Sequence, residues 1–476
     1  MSGRRTIEVW MADLTFPGYM DRLHRLAGEF EKLHPEYEVA IRGTDFRMMS
    51  KQLAEAAARD EAPTIAEYYF YMTPQARDAT DTAGRPLYTS VERAIGGRTE
   101  ILGEPVVVDD IVPAIRRFYT YDGELISMPT VGTTMLLFGN RSLMSAAGLP
   151  GLPETWQDLA LACARVRALP DGPAHGVTWA NHGFFVQDGL AVQGATLGDH
   201  NDGRDGRTQT VDLLSPQMLT YLRWWQRMHQ DGHYLYTGKI PDWVNNLRAF
   251  AEQDVAFRIT SSADINYMVQ SGRQGGFEIE VGRHPYPEGT PYGGHLIAGT
   301  SLWLRAGLDE VTRDGALAFL QFLHNPENAA DQHRVNSFLP LTGASFALLE
   351  EEGWFEANPQ HRVASEQIRD FPAGADRPAG EDVPVPRGAM IGDYAGIQDV
   401  MTLAIADVLL DGADPETRFG QAQADAQRLL DAYLADCAEG GPSRPESLRM
   451  EYFRDAEAYT AASQEAVVQL KEGSSS

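Results

Sequence analysis

The strongest constraint on this chain's fold is an alternation of short strand-like runs with segments of helical period. Ile7-Glu8-Val9-Trp10 reads as a strand. Leu23, Leu26, Ala27 and Phe30 then fall at i, i+3, i+4 and i+7, one face of a helix. His34-Pro35 stops that helix, and Tyr37 to Arg42 reads as the next strand. Ala316, Phe319, Leu320 and Leu323 repeat the helical pattern before an Asn325-Pro326 stop, and Met401, Ile405 and Val408 mark another amphipathic face. Such alternation predicts an α/β fold, with sheets covered by helices. With 476 residues the chain can build two or three units that each bury a core. No internal repeat points to a solenoid. Gly/Asp-dense stretches at 199–205 and 373–386 read as surface excursions, and 441–476 as a C-terminal helical extension and flexible tail.

Charge narrows the partners. Forty Lys and Arg against 67 Asp and Glu leave a net charge of −27. Duplex nucleic acid and anionic membrane surfaces both require a cationic face, so neither is expected as a partner. Cys163 and Cys437 are the two cysteines, far apart, which excludes a disulfide framework and a cysteine zinc site. No stretch approaches the roughly 18 apolar residues of a membrane span. Met1 to Arg5 runs directly into the first strand, without an apolar signal region or a lipoprotein cysteine. Export and retention in the cytoplasm both stay open on this reading.

Catalytic signatures are missing. There is no GxGxxG and no GxSxG. Gly232 to Lys239 has the wrong spacing for a phosphate-cradling loop and is followed by Ile240. His229 and His233 have the spacing of helical metal ligands, but Asp231-Gly232 between them predicts a helix end. No metal, no cofactor and no catalytic residue is therefore expected.

Four segments in order carry a family resemblance: Phe30 to Val39; Tyr121 to Pro129; Leu137 to Arg141 with Ala147-Gly148-Leu149 and Pro153 to Leu159; and Gly299 to Trp303, followed by Ala316 to Ala330 and Leu339 to Thr342. Together they resemble the extracellular solute-binding proteins of bacterial ABC importers, the maltose-binding-protein-like family. Ser301-Leu302-Trp303, Pro326 to Ala330 and Gly353 to Pro359 are most similar to its glycerol-3-phosphate-binding subgroup. The resemblance implies two discontinuous α/β lobes joined by a hinge, the type II periplasmic binding protein fold, enclosing a ligand between them. Lobe one is placed at 1–131 plus 287–345, lobe two at 132–286 plus 346–440.

The same resemblance nominates the ligand site. Asp13, Asp45 and Tyr71 fall in first-lobe loops; Thr133 at the crossover; Gly299 and Ser301 where backbone and hydroxyl meet ligand; Ser261, Ser262 and Asp264 after a second-lobe strand; Asp393 and Arg387 in a late anion-holding segment. Trp179, Asn181 and His182 add a polar–aromatic cluster, since rings suit the C–H faces of sugars and amides fix hydroxyls. Solvated loops, tight turns, helix caps and core packing are the alternative readings of these residues, and Trp224 with Trp225 read as core. Departures from the subgroup pattern are specific. Phe46 and Phe338 stand where it has tyrosines, Phe70 where it has a glycerol-binding carboxylate, Phe184 where it has a tryptophan, and Met390 where it has the phosphate-holding arginine. An unpaired buried hydroxyl costs about 1–3 kcal/mol, so these changes weigh against glycerol 3-phosphate itself. The expectation is a monomeric, extracytoplasmic binder that captures a sugar, glycoside or glycerophosphodiester by hinge closure and delivers it to the membrane subunits of an ABC importer. The rival expectation is a cytoplasmic enzyme or carrier on the same fold, acting in a biosynthetic pathway.

Overall fold

The structure, a computed structural model, describes residues 3–14, 16, 18–240, 242–369 and 388–440. Its first strand, β1 (Arg5–Asp13), buries Ile7, Val9 and Met11 and turns Thr6 and Glu8 outward, the period-2 pattern of a pleated strand. The helix Tyr19–Leu33 buries Leu23, Leu26, Ala27 and Phe30 as their spacing predicts, and ends where the His34 N–H bonds the Phe30 carbonyl. Strand β2 (Tyr37–Asp45) returns parallel to β1 over its whole length.

Eight further strands complete the main sheet: β3 (Ile65–Tyr69), β4 (Met128–Asn140), β5 (Val177–Thr178), β6 (Tyr234–Leu235), β7 (Phe257–Ser261), β8 (Ile279–Arg283), β9 (Ile297–Arg305) and the two-residue strand Tyr88–Thr89, which pairs with the end of β9. The order is β6-β5-β7-β4-β9-β3-β1-β2, with β8 also on β4. Strand β4 is buried at every residue and serves both ends of the sheet. Its first half, Met128 to Thr134, pairs antiparallel with β9, while Met135 to Gly139 pairs with β7. The molecule is accordingly two α/β lobes, each discontinuous in sequence, joined by a hinge. One lobe is centred on β1, β2, β3 and β9, the other on β5, β6, β7 and β8, and β4 passes between them.

The late helices match their expected faces. Asp309 caps Glu310–Leu323, and Asn325 caps Pro326–Asn336, so the Asn-Pro pair ends one helix and starts the next. Met401, Ile405 and Val408 are buried on Tyr394–Leu410, and Trp224 and Trp225 are buried on Pro216–Gln230. That last helix stops before Asp231-Gly232, separating His229 from His233, and no group of three metal-ligating side chains occurs among the described residues. The 199–205 stretch corrects its reading as a surface excursion. His200, Asn201 and Asp202 are consecutively left-handed, which turns Asp202 and Arg204 inward, where the Asp202 carboxylate accepts the Leu197 and Gly198 N–H groups. The stretches 373–386 and 441–476 lie outside the described residues. No helix among the described residues is long and apolar enough to cross a membrane.

Candidate functional site

Ligand crevices in open α/β sheets form beyond the carboxyl ends of strands, and the nominated first-lobe residues sit there. Asp13 and Asp45 pair at the ends of β1 and β2. Phe70 and Tyr71 follow β3 in a short 3-10 turn and are buried. The side chains of Asp45 and Phe46 and the whole of Arg387 lie outside the described ones. Beneath these loops is a carboxylate that family reasoning did not nominate. Glu67 of β3 is fully buried and accepts the Ala12 N–H at 2.6 Å, the Tyr19 hydroxyl at 3.2 Å and the Thr300 hydroxyl at 2.5 Å. Its signal was legible, an acid inside the otherwise apolar run Ile65 to Tyr69.

In the second lobe, His182 ends the loop after β5 and caps the helix Gly183–Ala191, its Nδ1 accepting the Phe184 N–H at 3.1 Å. Burial lowers its basicity to about 4, so the ring is neutral at physiological pH. Asn181 donates to the Thr402 carbonyl at 3.1 Å and the Tyr236 hydroxyl at 3.4 Å, leaving its buried Oδ1 without a partner among the described residues. Asn181 and the Gly183 N–H, which donates to the Thr402 hydroxyl at 2.8 Å, seat this turn on the helix Tyr394–Leu410, whose cap Asp393 adopts a left-handed φ of 46° and accepts the Gly396 N–H.

The lobes meet in three places. At the centre the Phe70 and Phe184 rings lie 5.6 Å apart, with Tyr71 at 5.3 Å and Phe118 at 6.4 Å from Phe70. Along one edge Phe16 stacks on Tyr267 at 6.2 Å and meets Phe338 at 5.2 Å, while the Asn266 amide donates to the Val335 carbonyl. Along the other, Arg207 forks onto Asp78 at 2.8 and 2.9 Å, Tyr433 donates to Asp78 at 2.7 Å and to the Pro74 carbonyl, and Arg204 donates to the Phe118 carbonyl across the face of that ring. Burial opposes charge on Asp78, but Arg77, Arg207 and Tyr433 outweigh it and hold its carboxyl below the usual carboxylate range. Phe16, Phe118, Tyr267 and the Asp78 cluster were invisible in sequence, because each acquires its role only when distant segments touch.

Several nominated groups are engaged within the protein. Trp179 stacks on Trp224 at 5.5 Å and packs 4.2 Å from Tyr234 inside the second-lobe core. The Ser301 hydroxyl is bonded to Ser127 at 2.9 Å and to the Trp303 indole at 3.1 Å. Ser261 caps Ala263, and Ser262 accepts the Thr134 N–H at 3.1 Å. Asp264 is held by Arg258 at 2.9 Å and by Thr260 at 2.7 Å. Thr133 is buried on β4 opposite Ala298. Gly299 has φ of +137°, and a Cβ there would stand 1.9 Å from the Val131 carbonyl oxygen, so glycine is required by the strand crossing itself. Met390, buried, donates its N–H to the Asp202 carbonyl at 2.7 Å.

Comparison with known proteins places this geometry. Residues 25–363 match the family described as bacterial extracellular solute-binding protein. The sn-glycerol-3-phosphate-binding periplasmic protein UgpB of Salmonella typhimurium is 26% identical over 414 residues, covering 85% of this chain and 88% of that protein. Among solved structures, the cyclic alpha-maltosyl-1,6-maltose binding protein of Arthrobacter globiformis superposes with a TM-score of 0.70 at 17% identity, over 90% of this chain and 100% of that one. UgpB of Mycobacterium tuberculosis, solved in complex with glycerophosphocholine, gives 0.69 at 19% identity, over 91% and 100%.

Proposed function

The chain belongs to the family of bacterial extracellular solute-binding proteins, and on that premise we propose that it captures a sugar, glycoside or glycerophosphodiester between its lobes. It is a solute-binding protein of the ABC-importer type and not an enzyme. The lobe boundaries that go with this reading are 1–131 plus 287–345 and 132–286 plus 346–440, with β4 and the segment leading into β9 as crossovers. Membrane subunits of an importer would recognise the closed form.

The apposition of Phe70 with Phe184 carries the ligand proposal. Contacts made to both lobes exist only when the lobes are together, so a ligand that touches both shifts the population toward closure. Phenylalanine rings at the meeting point match the apolar C–H face of a sugar or the carbon chain of a diester better than a phosphate monoester. Met390 where the subgroup places arginine supports the same preference.

Thermal melting and calorimetry with maltose, glycerophosphocholine and glycerol 3-phosphate test it. A ligand present at a hundred times its dissociation constant stabilises the native state by about 2.7 kcal/mol. The expected outcome is a raised melting temperature with maltose or glycerophosphocholine, and a smaller radius of gyration in solution scattering. A response to glycerol 3-phosphate alone would refute the reading.

A further inference from the structure

We propose that Glu67 is a positioning residue of the binding cleft, whose ionised carboxylate holds the first-lobe wall in its ligand-competent arrangement. The inference rests on the capture reading above. Its three donors come from three separate elements. Ala12 precedes Asp13 at the end of β1, Tyr19 opens the helix Tyr19–Leu33, and Thr300 lies on β9 between Gly299 and Ser301. From Tyr19 the packing continues to Phe338 at 5.9 Å, then to Phe16 and across to Tyr267 of the second lobe. Glu67 is thus linked by direct contacts to one edge of the lobe–lobe junction.

The arrangement of the three partners favours the ion. The Ala12 N–H can only donate, and both hydroxyls donate to Oε1 as placed. A proton on that oxygen requires one hydroxyl to reverse and accept it, which changes the geometry that holds the wall. Burial opposes the ion and the three hydrogen bonds favour it; the balance pushes the carboxyl up to about 7. The groups facing the site from the packed elements are Tyr19, Tyr69 and Tyr119, all raised by burial and neutral near pH 7, with Arg22 and Asp13 acting on Tyr19. Beside these neutral tyrosines, Glu67 changes charge around neutrality.

Stability and binding should then run in opposite directions. A carboxyl raised on folding contributes stability that is full below its unfolded value and lost as pH rises through about 7. Ligand affinity, which needs the ion, rises over the same range. Calorimetric titration of the full chain with glycerophosphocholine and with maltose at pH 6 to 9 reads this, since neither probe titrates there. The wild type is expected to bind about tenfold more tightly at pH 9 than at pH 6, the scale of one buried hydrogen bond. Glu67→Gln should bind no better than the wild type at pH 6 and show no pH dependence. A flat wild-type profile overturns the proposal, as does a Glu67→Gln variant that keeps the wild-type slope or one that only melts lower. If neither probe binds at any pH, the ligand reading fails, and Glu67 is judged from the NMR shift of the Ala12 amide proton, which a carboxylate acceptor moves downfield. That shift should move downfield from pH 6 to 9 in the wild type, with a midpoint at about 7, and stay flat in Glu67→Gln; equal profiles refute it.

Discussion

Gly299→Ala is expected to lower the melting temperature by about 10 °C or more and to abolish ligand capture. The new Cβ would lie 1.9 Å from the Val131 oxygen and 2.6 Å from its carbonyl carbon, both backbone atoms that no side-chain rotation can clear. A φ of +137° adds strain for any L side chain. Together these place the change among the severe ones, about 4 kcal/mol or more, or roughly 10 °C for a lobe of this size. The damage falls where β4 and β9 cross between the lobes, so residual folded protein should also fail to close. Gly28→Ala is the control. It sits in the helix Tyr19–Leu33 with nothing within 4 Å of a new Cβ, and is expected to stabilise by up to about 1 kcal/mol. Scanning calorimetry of the two variants decides the matter.

Asp78→Ala is expected to cost about 3 kcal/mol and to weaken ligand binding. The carboxylate is almost wholly buried, and its removal strands Arg77, which is also buried, while releasing Arg207 and the Tyr433 hydroxyl. Arg207 is 42% exposed, so its share is screened; Arg207→Ala should cost under about 1 kcal/mol of stability. That variant nevertheless loses a contact between lobes, and its probe affinity should fall several-fold. Because folding depresses the Asp78 carboxyl, its contribution is present above the ordinary carboxylate value and is lost as pH falls through the depressed one. Urea titrations at pH 7 and pH 3 should show the gap between wild type and Asp78→Ala narrowing at the lower pH.

Local pattern was sufficient for some of this. The helix at Tyr19–Leu33, its His34-Pro35 stop and the parallel return of β2 follow from periodicity and turn chemistry, which act within a few residues. Trp224 and Trp225 were legible as core for the same reason. Trp179 was ambiguous, because an aromatic ring has the same composition signal in a sugar site and in a hydrophobic stack; the 4° angle with Trp224 places it in the stack. Ser301 and Gly299 are similar cases. A hydroxyl shared with Ser127 and a glycine pressed on Val131 answer to neighbours that are remote along the chain.

The residues alone determined that this chain alternates strands and helices, that it carries no recognisable catalytic motif, and which family segments it contains. Tertiary structure decided which of the nominated side chains face the junction of the lobes and which are consumed inside them. It also exposed Glu67, Tyr267 and the Asp78 cluster as candidates. The physical reason is range: periodicity and capping are local, whereas a buried charge or a cross-lobe ring contact takes its energy from partners that only the folded chain brings within a few ångströms.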